Sequence, residues 1–461
     1  VKFTVGREAI GEAVAFVSRA LPSRPVVPVL SGMLLNAEAD GLTLSCFDYE
    51  VSARVRVDAE VAESGTALVP GRLLAEITRS LPAKPAEFSE EAGMVNLACG
   101  SAEFGLVCLP VDDYPALPES PEPVGTVDSG ALASAVAQVA PAASRDDTLP
   151  MLTAVCLDIS GPVMTLVATD RYRLAAREVS FAPAVPDAQA IALVPARIMT
   201  EVARTMVPGL PVAVAFGQEG LISFETGGRR LTARLIAGDF IRYQSRFPAE
   251  FGCRADLPAG PVIEAVRRAA LVAERAGPVQ LSFGAGQVVI EAHAEGRARA
   301  AETVDAEFAG DQPVISFNPH FLLDGLTAAA AMERSSAAAA GTSGAPVTPG
   351  VVGADGGAGA GGGSSAGAGG GAGVGNPAGA GSPAGVGSSA EGSGSAAGGG
   401  TVAGTDSPEL GRIRLEFTSP AKPALITWAG TGGQDSGTDV GRSGQPAFRY
   451  LLVPLRAPVR T

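Results

Sequence analysis

The feature that most constrains this chain is a repeat. Val27 to Leu35 and Leu149 to Leu157 share one pattern, an apolar strand entered through proline, then a turn and a second strand ending at Asp48 or Asp170. Leu30 stands as far from Asp48 as Leu152 stands from Asp170. A second set of markers, Ala67-Leu-Val-Pro-Gly-Arg72, Ala192-Leu-Val-Pro-Ala-Arg197 and Ile315-Ser-Phe-Asn-Pro-His320, joins a strand to a helix start. In each, proline sits where a first helical turn tolerates its missing N–H. Apolar residues then recur at helical spacing, as at Leu73, Leu74, Ile77 and Leu81. The markers stand about 125 residues apart, so the chain reads as three copies of one supersecondary plan.

Within each copy the order is helix, strands, helix, strands. Opening helices are expected at Arg7 to Ala20, Ser129 to Ala143 and Ala259 to Arg275, each amphipathic, and strands alternate as in Val288 to Ala292. The expected class is α+β, three similar domains with antiparallel sheets. They are expected at residues 1–120, 126–248 and 257–461, with prolines and turn residues near Pro118 to Thr126 and Phe247 to Leu257. The third is interrupted. Over 335–405 the composition collapses to Gly, Ala and Ser with almost no charge or aromatic, which leaves nothing to build a core. The tract lacks the Gly-X-Y period of collagen, so a flexible insertion is expected before a strand at Arg412 to Phe417.

Composition narrows the function. A net charge of −14 argues against a tight electrostatic grip on DNA, since groove-reading proteins carry a basic balance. It is compatible with a protein that surrounds DNA through a few inward arginines. The five cysteines (Cys46, Cys99, Cys108, Cys156, Cys253) are scattered without CxxC spacing and suggest reduced thiols, not a disulfide framework or zinc site. Two histidines, His293 and His320, have no clustered partners, and Asp112-Asp113 and Asp146-Asp147 lie in turns, so catalytic and metal readings find no footing. The start at Val1 to Val5 reads as a strand and no long apolar run follows, so a cytoplasmic location is expected.

Several runs carry a family resemblance. Lys2 to Val5, Leu21 to Leu30, Leu109 to Pro115, Ala168 to Leu174, Phe317-Asn318 with Leu322 to Asp324, and Tyr450 to Arg456 resemble, in order, the signatures of the bacterial DNA sliding clamps, the DNA polymerase III beta subunits. Each is weak alone; six in order, over essentially the whole chain outside the tract, are specific. Arg145 to Pro150 and a bias towards Ala, Gly, Arg and Val resemble actinobacterial members.

The resemblance implies a non-catalytic processivity factor without cofactor or metal. It implies a head-to-tail homodimer of six similar domains, sheets outside and helices lining a hole that takes duplex DNA without sequence preference. Partners would be the replicative polymerase and repair enzymes, bound through short apolar peptides. No GxxxxGK[ST] occurs, so a separate ATP-dependent loader is implied as well. Matching positions place Phe104, Leu106 and Leu271 in the subunit contact and Arg24, Arg72 and Arg145 at DNA. Arg197 and Arg204 join them as cations on a lining helix.

The peptide pocket would draw on Leu152, Thr169, Arg171, Tyr172, Arg173 and Leu174 from the second domain. Asn318, Phe321, Leu451, Val453, Pro454, Leu455 and Arg456 would come from the third. An apolar floor with a few orienting polar groups is what a peptide anchor needs, with Arg173 the expected orienting cation. The chain departs from common members at Pro150, Met151, Ile241, Ser245, Arg246 and Ala276. Those departures leave two alternatives, a second-copy clamp with altered partner or inhibitor preference and an acidic peptide-binding scaffold that never encircles DNA.

Lengthening a loop from ~5 to ~75 residues costs only about 2.4 kcal/mol of closure entropy. Deleting Ser335 to Thr405 is therefore expected to leave dimerisation and DNA retention intact, as read by solution mass and by retention on circular DNA. Loss of either would make the tract structural.

Overall fold

The three copies anticipated from the repeat fold alike. A computed structural model describes residues 1–118, 121–217, 220–273, 277–294, 296–341, 411–430, 441 and 446–455. The first domain runs β1 (Lys2–Val5), α1 (Arg7–Ser18), β2 (Gly32–Glu38), β3 (Gly41–Phe47), β4 (Val51–Val57), β5 (Glu60–Glu63), β6 (Gly65–Pro70), α2 (Gly71–Ser80), β7 (Ala86–Glu91), β8 (Met94–Cys99) and β9 (Ala102–Val107). The second runs β10 (Pro123–Asp128), α3 (Ser129–Val139), β11 (Ala154–Ser160), β12 (Val163–Thr169), β13 (Arg173–Pro183), β14 (Gln189–Pro195), α4 (Ala196–Thr205), β15 (Pro211–Gly217), β16 (Leu221–Thr226) and β17 (Arg229–Arg234). The third runs β18 (Cys253–Pro258), α5 (Ala259–Val272), β19 (Val279–Gly284), β20 (Gln287–Ala294), β21 (Ala298–Asp305), β22 (Glu307–Ala309), β23 (Val314–Phe317), α6 (Pro319–Gly341), β24 (Arg412–Phe417), β25 (Ala424–Gly430) and β26 (Phe448–Leu452).

Each domain holds two antiparallel half-sheets. The first halves are β6-β2-β3-β4, β14-β11-β12-β13 and β23-β19-β20-β21. The second halves are β1-β7-β8-β9, β10-β15-β16-β17 and β18-β24-β25-β26. Helices pair as α1 with α2, α3 with α4 and α5 with α6, and each pair packs on its own strands. The period explains this. In α1 the buried set Ile10, Ala13, Val14 and Val17 falls at i, i+3, i+4 and i+7, one stripe facing the sheet. Expected helix ends shorten slightly: α1 stops at Ser18, and α3 passes into a 3-10 turn at Ala140–Ala142.

The strand expected at Arg412 to Phe417 is β24. The tract assigned to 335–405 lies outside the described residues except at its start, where α6 continues to Gly341. Among the described residues no helix is long and apolar enough to cross a membrane.

The domains are joined edge to edge. β4 of the first domain pairs antiparallel with β17 of the second, placing Val51 opposite Ala233. β13 of the second pairs antiparallel with β26 of the third, placing Arg173 opposite Leu452. Val51 and Arg173 are equivalent, each the residue before strand pairing resumes after the turn from Phe47 or Thr169. Both junctions thus use the same two strands of the repeat in the same register. Among the described residues, the equivalent strands with no partner in another domain are β9 and β21, at the two ends.

Close approach of α6 to β26 within the third domain depends on Gly325, where an added Cβ would stand 2.6 Å from the Tyr450 ring. Gly325→Val is expected to cost about 1–3 kcal/mol through overpacking, read as a lower urea midpoint. An unchanged midpoint would show that α6 has room to shift.

Candidate functional site

Two turns carry the polar part of the junctions. Asp170 Oδ1 accepts the N–H groups of Tyr172 and Arg173 at 3.0 Å each, Thr169 Oγ1 accepts Arg171 N–H, and the Thr169 hydroxyl donates to the Arg173 carbonyl. The tightened turn holds Arg171 at φ 81, a left-handed conformation that non-glycine residues adopt at a cost. The first domain repeats the device: Asp48 Oδ1 accepts Glu50 and Val51 N–H, and Tyr49 sits at φ 73.

Arg173 leaves this turn inward and is only 9% exposed. Its Nε donates to Asp170 Oδ2 at 2.9 Å, one terminal nitrogen to Asp324 of α6, and the other to the Pro141 carbonyl. Its guanidinium lies over the Phe321 ring, 4.2 Å from the centroid. Burial works against the charge of Arg173, yet Tyr450, Asp324 and Asp170 outweigh it and hold its pKa above the ordinary value. Burial first, with the two acids adding, raises the Tyr450 phenol; it stays protonated and donates to the Phe321 carbonyl at 2.8 Å. This corrects one expectation. Arg173 has its donors committed to joining two domains, so it is not the cation that orients a bound peptide.

Above this bridge opens a cavity of about 830 Å³, lined among others by Arg145, Asp146, Arg171, Tyr172, His320 and Phe321. Tyr172 is 55% exposed and stacks on Phe321 with centroids 6.4 Å apart. Thr148, through its hydroxyl and N–H, and then Arg171 hold the Asp146 carboxyl below its usual range. Arg145 and Arg171 stand on a lining that also holds Asp146, Asp170 and Asp324, the last two already met by Arg173.

The remaining pocket residues gather beside the cavity. Val453 N–H donates to the Tyr172 carbonyl at 2.9 Å and Leu455 N–H to the Ser316 carbonyl at 2.7 Å, so the segment after β26 stitches the second and third domains together. Val453 and Leu455 keep their side chains exposed there. Leu174 and Leu451 form a floor with Tyr243, covered by Ile241 and Phe247 of the inter-domain connector. The Tyr243 hydroxyl donates to Asp158 at 2.7 Å and pins that connector. Met151, beside Leu152, touches the connector near Gly238. Pro454 is half-buried. The Asn318 side-chain oxygen accepts His320 and Phe321 N–H, which makes it the cap of α6. Arg456 and Ala276 lie outside the described residues.

The other expected positions divide. Arg72 donates to the Pro22 carbonyl, and a cavity of about 250 Å³ at the first junction is lined by Pro22, Ser23 and Arg197, which brings Arg72, Arg197 and the loop of Arg24 together. Arg24, Arg72, Arg145 and Arg197 are exposed and have no carboxylate partner among the described residues. Arg204 differs, with Glu201 3.5 Å away. At the free ends Leu271 is 83% exposed and Phe104 is half-buried. Leu106 is a correction: on the inward side of its edge strand it is 1% exposed and belongs to the domain core. Sequence reasoning missed Leu73. It follows Arg72 as Ile198 follows Arg197, yet Ile198 is 5% exposed at an internal junction while Leu73 is 46% exposed at the free end. Aligning the repeats would have exposed this asymmetry.

Models of the N-terminal, central and C-terminal domains of the DNA polymerase III beta subunit match residues 1–118, 126–241 and 244–337. A beta sliding clamp of Streptomyces coelicolor is 52% identical over 332 residues, 71% of this chain and 88% of that protein. The beta sliding clamp homolog GriR of Streptomyces muensis is 44% identical over 328 residues, 71% of this chain and 88% of that protein. Among solved structures, the DNA polymerase sliding clamp of Bacillus subtilis aligns with a TM-score of 0.74 at 21% identity, over 99% of each chain.

Removing the bridging guanidinium as Arg173→Met would leave Asp170, only 12% exposed, without its counter-ion. The expected loss is about 3 kcal/mol, at the low end for a broken buried pair because Asp324 keeps contact with water. Urea unfolding reads it; an unchanged midpoint would contradict the bridging role.

Proposed function

We propose that this chain, which belongs to the DNA polymerase III beta-subunit family of sliding clamps, works as a head-to-tail homodimeric ring that holds duplex DNA by enclosure. Members of the family are non-catalytic processivity subunits. The observation that carries the reading is the repeated junction. Two internal junctions join equivalent strands in one register, and the chain ends on the same two strands unpaired. Pairing β21 of one copy with β9 of the next in that register sets Ala298 opposite Leu106, Ala300 opposite Phe104 and Ala301 opposite Glu103. A heterologous contact of this kind closes a ring once the rotations sum to a full turn. It would also bury Leu73, Leu271 and Phe104, large apolar groups that are otherwise left to water.

DNA contact follows from Arg24, Arg72, Arg145 and Arg197. Helices α2 and α4 start behind prolines with no side-chain cap, so their free N–H groups and Arg72 or Arg197 face anions together. Such contacts are sequence-independent and weak in a chain of net charge −14, which suits sliding. The family relationship supports DNA and a polymerase as partners, and the second-copy and non-encircling alternatives are not favoured.

The groove beside Tyr172, Val453 and Leu455, floored by Leu174 and Leu451, takes short apolar peptides of polymerases, loader and repair enzymes. Apolar burial contributes about 25 cal/mol per Å², so a few hundred Å² give several kcal/mol before ordering costs, enough for an exchangeable contact. Arg171 and Arg145, rather than Arg173, would meet a peptide's acidic group.

Two outcomes test the reading. Loaded protein should remain on nicked circular DNA and run off after linearisation; equal retention on both would contradict enclosure. Leu455→Asp should weaken a clamp-binding peptide by at least about tenfold, or about 1.4 kcal/mol. Parent-like affinity would misplace the groove.

A further inference from the structure

We infer that closure of the ring sets Arg268 of one copy at the C-terminal end of helix α2 of a second copy, where its guanidinium donates to the Ser80 carbonyl. The inference rests on the homodimer reading above and names a polar contact on the helical side of the seam.

A helix leaves its last carbonyls without intrahelical partners, so something outside the helix must meet them where that end is buried. The tenth residue of the second helix is Ser80 in α2, Thr205 in α4 and Ala328 in α6. Thr205 and Ala328 are buried, and a side chain donates to the carbonyl of each. For Ala328 the donor is Gln138 of the neighbouring domain, the tenth residue of α3, with its Nε2 2.9 Å from the carbonyl oxygen. At the first junction that place is Phe16 of α1, which has no donor. Arg229, the first residue of β17, serves instead: it donates to the Thr205 carbonyl at 3.3 Å with its guanidinium over the Phe16 ring.

The place of Arg229 is held in the third domain by Phe448, which stands opposite Arg177 as Arg229 stands opposite Val55. Each internal junction thus has one donor, from one place or the other. At the free ends the two places are Arg268, tenth in α5, and Ala102, which like Arg229 opens its strand after a two-residue turn. Only Arg268 can donate.

Exposure marks the same two residues. Phe16 and Gln138 are buried while Arg268 is exposed, and Thr205 and Ala328 are buried while Ser80 is exposed. Glu302 of β21 accepts from Nε and Nη2 of Arg268 at 2.8 and 2.6 Å, which steadies the guanidinium and leaves Nη1 without a partner among the described residues. The Ser80 hydroxyl is used locally, donating to the Ile77 carbonyl, and among the described residues no donor meets the Ser80 carbonyl. A cation suits that position, because the peptide dipoles leave partial negative charge at a helix C-terminus. Glu76, one turn before Ser80 on the same side of α2, adds to that field and offsets Arg79.

The test measures the dimer dissociation constant of the full chain by dilution. Arg268→Met keeps the apolar stem and removes the donor; acting at both seams, it should raise the constant by at least about tenfold. Arg268→Gln, which supplies the donor used at the second junction, should return to within about threefold of the parent. Two controls should stay within about twofold: Arg267→Met, whose arginine pairs with Glu264 inside α5, and Ser80→Ala, which keeps the carbonyl. All three positions are exposed in the single chain, so circular dichroism of the variants should match the parent. A dimeric parent unmoved by Arg268→Met, a Gln variant as weak as the Met variant, or a control that loses as much as Arg268→Met would overturn the contact and leave the homodimer standing. A parent that is monomeric at all concentrations would overturn the homodimer reading and the contact together.

Discussion

The structure depends on backbone hydrogen bonding between the edges of neighbouring domains. An exposed strand edge presents unpaired N–H and C=O groups and will bond to whatever strand fits it. Here the edges of the repeat are matched, β4 to β17 and β13 to β26, so each domain satisfies its neighbour and four of the six half-sheets join in two pairs across the junctions. Register decides everything downstream. A slip of one residue would turn every side chain at the junction to the opposite face and carry Arg173 away from Asp324.

From that pairing the site follows. Because β13 and β26 lie side by side, the turn before β13 meets the start of α6, and the segment after β26 crosses between the second and third domains with Val453 and Leu455 uppermost. The buried Arg173 bridge ties the two domains at this meeting, and on the proposed reading it would spare a bound peptide the cost of ordering the groove above it. The first junction has the same turn and the same helix start but Val51 in place of Arg173. Its smaller cavity is correspondingly edged by the loop of Arg24 and by Arg197.

Much of this was legible in the chain. The prolines at Pro70 and Pro195 mark two helix starts, alternation marks the strands, and the collapse of composition after α6 marks the insertion. What escaped depends on contacts far apart in sequence. Arg173 reads as a pocket cation until Asp324, 151 residues away, is seen to accept it. Leu106 reads as an interface residue by its matching position in the family, although alternation on its strand turns it inward beside the outward Val107. Leu73 was overlooked because its helix was read for periodicity within one copy, and only its divergence from the buried Ile198 marks it as a surface awaiting cover. Strand order between domains leaves no local signal at all, since each edge carries the same alternating pattern as an interior strand.

The central claim is that the subunit seam repeats the internal register. The most direct measurement is oxidative cross-linking of Ala301→Cys combined with Glu103→Cys, the pair equivalent to Arg54 with Arg230 and Ala176 with Arg449. The account predicts a covalent dimer joined at that pair, and little product when the first cysteine is moved by one residue to Ala300. A solution dimer that cross-links in a shifted register, or not at all at this pair, would contradict it.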